Sequence, residues 1–139
     1  MPAKSKNSSR RVLVADDDPV VRHLVSSLLR SSGYTPVEAH DGREAYQILQ
    51  SDSDFCAAVV DLIMPYIEGI DLISYMRTEN RLRRIPAVMI TAEKDLNWLS
   101  KSFSAGATLF LAKPFTPGQL QKTLQLLLTA ASIESRSAA

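Results

Sequence analysis

Cys56-Ala57-Ala58-Val59-Val60-Asp61-Leu62-Ile63-Met64-Pro65 is the stretch on which the fold turns. Five small or apolar residues run into one carboxylate, and a proline follows four positions later. An apolar run this short, bounded by a breaker, fits a strand buried on both faces better than a helix. Such a strand carries Asp61 to its carboxyl end, the edge where open α/β sheets place their chemistry.

The same pattern recurs on both sides. Arg11 to Ala15 is a short apolar run ending in Asp16, Asp17 and Asp18. Tyr34 to Ala39, Pro86 to Thr91 and Thr108 to Ala112 read as further strands, the last broken by Lys113-Pro114. Between them the period lengthens to that of a helix. Asp18 suits an N-cap and Pro19 a first helical position, and Val20, Val21, Leu24, Val25, Leu28 and Leu29 follow in helical register. Gly33 falls where a left-handed C′ residue ends a helix. Asp41-Gly42-Arg43-Glu44 resembles a capping box ahead of Ala45, Ile48 and Leu49. A loop to Gly69 leads into a helix with Leu72, Ile73 and Met76. The next helix is expected to bury Leu96, Leu99 and Phe103, leaving Trp98 off the stripe, and to close at Gly106. The last is expected from about Pro117 to Ala131 with Leu120, Leu124, Leu127 and Leu128 inward. Five alternations of strand and helix imply an α/β fold, a doubly wound parallel sheet covered on both faces.

At 139 residues the chain fits one domain with a real core. No apolar run approaches the roughly 20 residues of a membrane helix, and the first residues lack the apolar core expected of a secretory signal. Cys56 is the one cysteine, so no internal disulfide is available. It reads as a small core hydrophobe in a reducing, cytoplasmic setting. The net charge of +1 hides an asymmetry, since Lys4, Lys6, Arg10 and Arg11 precede any acid. The remaining 12 bases against 15 acids leave the body near −3. Residues 1–10 are read as a basic disordered tail, 11–131 as the domain and 132–139 as a C-terminal tail. Arg81, Arg83 and Arg84 read as a solvated basic face. Contact with nucleic acid or a membrane is not expected.

At the carboxyl ends of these strands stand Asp16, Asp17 and Asp18, then Asp61, Thr91 and Lys113. Taken singly each has a plain reading: Asp18 a helix cap, Thr91 a turn residue, Lys113 a surface charge. Taken jointly they converge on one edge of the sheet. Clustered carboxylates resist ionising unless a cation holds them, and a hard divalent ion such as Mg²⁺ (or Mn²⁺) suits one or two carboxylates plus water and phosphate oxygens. Lysine adds a point charge for phosphate and threonine a hydroxyl donor. This is what a carboxylate nucleophile toward phosphorus needs.

Val14-Ala15-Asp16-Asp17-Asp18, Val60-Asp61-Leu62-Ile63-Met64-Pro65, Ile90-Thr91-Ala92-Glu93 and Ala112-Lys113-Pro114-Phe115 resemble, in order, the motifs of the receiver domains of two-component response regulators. The likeness spans about residues 11–131. It implies a flavodoxin-like sheet in the order 2-1-3-4-5 with five helices. It also implies that Asp61 accepts a phosphoryl group from a histidine kinase or histidine phosphotransfer protein. Asp16, Asp17, Asp61 and the Ile63 carbonyl would hold the metal, with Asp16 acting mainly through water. Lys113 and Thr91 would contact the phosphoryl group, Thr91 and Phe110 would form the switch, and Lys113-Pro114 would be cis. The face of the fourth helix, fifth strand and fifth helix, with Trp98 a candidate, would meet a downstream protein or an output domain, or a second copy in a homodimer. Such domains also catalyse their own phosphoryl transfer and hydrolysis.

Some positions depart from the commonest family pattern. Phe110 stands where many members carry tyrosine. Ile63 and Glu93 flank the path of attacking water and are expected to tune phosphate lifetime. Glu68-Gly69 replaces Asp-Gly. Alternatives are a pseudo-receiver that only binds partners and a phosphatase of the haloacid-dehalogenase type using Asp16. A flavodoxin-like electron carrier is disfavoured, because three acids occupy the loop where a flavin phosphate would sit. No output domain follows residue 131, so the chain reads either as a stand-alone regulator or as part of a longer one.

Overall fold

A computed structural model describes residues 9–92 and 96–138, with side chains as far as Ile133. Most of the basic tail, and Glu93 with its expected influence on phosphate lifetime, lie outside the described residues. The first strand, β1, covers Arg11–Ala15 and leads through Asp18 into α1, Pro19–Ser31. The Asp18 carboxylate accepts from the Val20 amide at 2.9 Å, the expected cap. At the far end Gly33 takes φ of 85°. The Tyr34 amide donates to the Leu29 carbonyl at 2.9 Å and the Gly33 amide to that of Arg30 at 3.0 Å, a full Schellman ending.

β2 covers Thr35–Ala39 and α2 Gly42–Ser51. The expected capping box forms in a shifted version. The Asp41 carboxylate accepts from the Glu44 amide at 2.8 Å, but Glu44 reaches back to the amide and ring of His40, one residue before the cap. The opening stretch becomes β3, Ala57–Asp61, with all five residues buried. Then come α3 (Gly69–Thr78), β4 (Ala87–Thr91), α4 (Leu96–Ala105), β5 (Leu109–Ala112) and α5 (Pro117–Ala138). The last helix therefore runs through the segment expected to be a C-terminal tail, because no glycine or proline after Gly118 stops it. Its start is held by a reciprocal pair: the Gln119 amide donates to Thr116 Oγ1 and the Thr116 amide to Gln119 Oε1.

The five strands are parallel in the order β2-β1-β3-β4-β5. Alternate residues feed two apolar layers. Leu13, Ala58, Val60 and Met89 face α2 and α3, meeting Ala45, Leu49, Leu72, Ile73 and Met76. Val12, Val14, Val59 and Val88 face α1 and α5, meeting Val25, Leu29, Leu120, Leu124 and Leu127. Burial on both faces is why these strands read as continuous apolar runs.

One expected face is turned around. On α4 Leu96 and Phe103 are 78% and 46% exposed, while Ser102 is fully buried and Trp98 is half-buried against the α2–α3 layer. The indole offers more apolar area than either alternative, so it takes the inward position. Ser102 then follows one turn later, its hydroxyl satisfied by the Trp98 carbonyl at 2.7 Å.

Candidate functional site

Register assembles the site. Ala15 pairs with Val60, Asp61 with Ile90 and Thr91 with Ala112. The residues at or just beyond the strand ends, Asp16, Asp61, Thr91 and Lys113, therefore share one edge. The strand that delivers Asp61 is closed off by two close contacts. The Leu62 amide donates to the Ile90 carbonyl and the Gly69 amide to the Leu62 carbonyl, both at 2.8 Å. A Cβ on Gly69 would overlap the Asp61 carbonyl and the Met89 sulfur, so only glycine lets α3 start there.

Asp16 and Asp61 are almost fully buried, whereas Asp17 is exposed. Oxygens of all three carboxylates lie within 4.8 Å of one another. The Lys113 ammonium sits between two of them, 3.5 Å from Asp16 Oδ2 and 3.7 Å from Asp61 Oδ2. Asp16 Oδ1 accepts from the Asp18 amide at 2.9 Å, and its carbonyl accepts from Arg22 Nη1 at 2.8 Å. Burial, and then the negative charge of Asp16, push the Asp61 carboxyl up to about 7, against the opposing pull of Lys113. Burial also raises Asp16, offset by the Asp18 amide and by Lys113. The two buried carboxylates thus share one close ammonium, and burial raises the proton affinity of both, which a bound cation would oppose. All the donors are hard oxygens, so the chemistry of the set fits Mg²⁺ or Mn²⁺.

Thr91 is buried at the end of β4, and its carbonyl accepts from the Lys113 amide at 2.7 Å. The Lys113-Pro114 bond is cis. Phe110 pairs with Met89, two residues before Thr91, and is half-buried in the same layer. Ile63 exposes about half its side chain beside the site. Trp98 carries the Lys101 ammonium 4.9 Å from its ring centre, so the exposed apolar groups of α4 are Leu96 and Phe103 instead. Two features had no sequence signal. Arg22 links the Asp16 backbone to Glu38 on β2 at 3.0 Å, and Gly42 and Arg43 of α2 pack on the loop after Asp61. Both depend on which elements become neighbours.

A parallel sheet in this order, with an acidic cluster and a lysine at its carboxyl edge, defines the response regulator receiver domain. That family's model matches residues 12–125, and the chain belongs to it; phosphorylation-dependent signalling is the family's general function. Among its relatives is the chemotaxis protein CheY1 of Helicobacter pylori, 34% identical over 119 residues, which cover 85% of this chain and 96% of that protein. The structure of the chemotaxis regulator CheY4 of Vibrio cholerae superposes with a TM-score of 0.79 at 34% identity, covering 87% of this chain and 100% of that one. The receiver domain of the Pseudomonas aeruginosa sensor kinase PA1611 gives a TM-score of 0.75 at 27% identity over 88% and 99%. That protein coordinates a magnesium ion in its active-site cleft.

Proposed function

We propose that the chain is a phosphorylation switch in which Asp61 accepts a phosphoryl group from a histidine kinase or histidine phosphotransfer protein. The observation that carries this reading is the position of the Asp61 carboxylate, buried between the Lys113 ammonium at 3.7 Å and the carboxylates of Asp16 and Asp17. An Asp61 oxygen attacks phosphorus, the bond from phosphorus to the donor imidazole nitrogen breaks, and the imidazole leaves. Asp16, Asp17, Asp61 and the Ile63 carbonyl would hold Mg²⁺ or Mn²⁺. When bound, the ion keeps Asp61 ionised and offsets the charge on the phosphoryl oxygens. Lys113 draws the same oxygens toward it, and the Thr91 hydroxyl donates to one of them. Water later attacks phosphorus, the bond from phosphorus to the Asp61 oxygen breaks and inorganic phosphate leaves, with Ile63 and Glu93 setting the rate.

The product adds roughly 1.5 to 2 negative charges and three strong acceptors at one point. Thr91 and the half-buried Phe110 respond by repacking, since Phe110 has no hydroxyl with which to signal. The readout face is formed by α4, β5 and α5, where Leu96 and Phe103, rather than the inward-turned Trp98, present the exposed apolar groups. A downstream protein, an output domain or a second copy would bind there. The domain works in the cytoplasm without touching nucleic acid or membrane; among the described residues no helix is long and apolar enough to cross one.

The test is intact mass after incubation with acetyl phosphate and Mg²⁺. Wild type should gain one phosphoryl group and Asp61→Asn none. No gain on wild type would leave a pure binding module, and a gain that persists in Asp61→Asn would move the site elsewhere.

A further inference from the structure

The loop from Leu62 to Gly69 is closed at its base by the Gly69 amide on the Leu62 carbonyl. Its crest is an unusual piece of backbone. The Ile67 amide donates to the Pro65 carbonyl at 2.9 Å, two residues back, and Tyr66 between them has φ of 74°. A γ-turn with a positive φ at its centre is rare and strained, and a bulky residue is a poor occupant of the left-handed region. Strain of this kind persists only where neighbouring structure over-determines it.

Three contacts from α2 do so. The Gly42 amide donates to the same Pro65 carbonyl at 3.2 Å. A Cβ on Gly42 would overlap the Ile67 carbonyl, so the first turn of α2 lies directly on the loop. The Arg43 guanidinium then covers the Tyr66 ring, 4.0 Å from its centre. Core packing does not put the ring there, since Tyr66 is 69% exposed.

We propose that Arg43, stacked on Tyr66, is a positioning residue that holds the loop after Asp61 in the shape the divalent-cation site requires. The inference rests on the proposed function, in which the Ile63 carbonyl, two residues before this turn, is a metal ligand. Arg43 touches neither ion nor phosphate. It fixes the crest of the loop, and the crest fixes where the preceding carbonyl points. The two roles an exposed arginine can play here carry opposite signs. As a mere positive charge near an acidic edge, Arg43 repels a divalent cation, and its removal tightens binding. As a positioning residue it favours the bound shape, and its removal weakens binding.

Titration calorimetry with Mg²⁺ at neutral pH on the whole chain separates the two. Arg43→Ala should bind Mg²⁺ about two- to fivefold more weakly, the range expected for loss of an exposed cation–π contact. Tyr66→Phe keeps the ring face and should bind as wild type does. Tyr66→Ala should match Arg43→Ala, and the double variant should lose no more than either, as groups acting through one contact do. Melting temperatures in EDTA should be nearly unchanged, while the amide resonances of Ile63, Met64, Tyr66 and Ile67 move. Equal or tighter Mg²⁺ binding by Arg43→Ala overturns the proposal. Failure of the wild type itself to bind Mg²⁺ overturns the metal-site reading beneath it, and the proposal with it.

Discussion

Asp61 lives under two opposed demands: burial and its neighbours penalise its charge, and the proposed phosphoryl transfer needs that charge. With its carboxyl pushed up to about 7 by burial and by Asp16, the folded state holds a proton that the unfolded chain releases near 4. The associated stability is complete below about pH 4 and is lost as the pH rises through about 7. In EDTA, Asp61→Asn should therefore be more stable than wild type at pH 8 by about 1–3 kcal/mol, with the gap closing toward pH 5. Thermal melts at the two pH values check this. Mg²⁺ should raise the wild-type melting temperature at pH 8 more than that of the variant, because an ion that binds only the native state stabilises it. Asp61 itself was legible in the sequence, since an acid after five small or apolar residues, joined by Asp16, Thr91 and Lys113 at other strand ends, is poorly explained by chance. Its raised proton affinity was legible only as the general rule that clustered carboxylates resist ionising; the burial that chiefly causes it, and the approach of Asp16 from a neighbouring strand, come from the fold.

Helices were legible in their caps and less so in their faces. Asp18, Gly33 and Pro19 play their expected parts because caps are local, set within four or five residues. On α4 three apolar residues and a tryptophan competed for one interior stripe, and the winner depended on the shape of the α2–α3 layer. Two consequences are measurable by urea denaturation. Leu96→Ser and Phe103→Ser should change stability by less than about 0.5 kcal/mol, as exposed positions do. Trp98→Ala, half-buried, should cost about 2 kcal/mol through lost packing. A reversed ranking would restore Leu96 and Phe103 to the core. Glu68 belongs at the same scale. It occupies the N-cap of α3, and no side-chain cap bond forms there among the described residues. Glu68→Asp should add about 1 kcal/mol by supplying the shorter carboxylate that caps prefer.

For the whole molecule, the sheet order is the decisive property. β3 lies between β1 and β4, so Asp61 meets Asp16 on one side and, beyond Thr91, Lys113 on the other. Gly69 is where three of these elements converge, against the Asp61 carbonyl, the Leu62 Cα and the Met89 sulfur. Gly69→Ala should cost about 1–3 kcal/mol as an overpacking change. It should also slow phosphorylation by acetyl phosphate, because the displaced backbone is that of Asp61 itself; a variant that melts normally and is phosphorylated at the wild-type rate would contradict this.

By itself the sequence determined the order and type of the elements and the carboxylate, hydroxyl and ammonium that stand at the strand ends. These follow from periodicity, capping and breakers, all interactions between residues a few positions apart. The strand order was legible only through the resemblance to receiver domains. Tertiary structure alone decided that Lys113 reaches Asp16 as well as Asp61, that Trp98 turns inward, and that Arg43 covers Tyr66. Each of these depends on surfaces from distant segments competing for the same space, and on charges brought within a few ångströms where water no longer screens them.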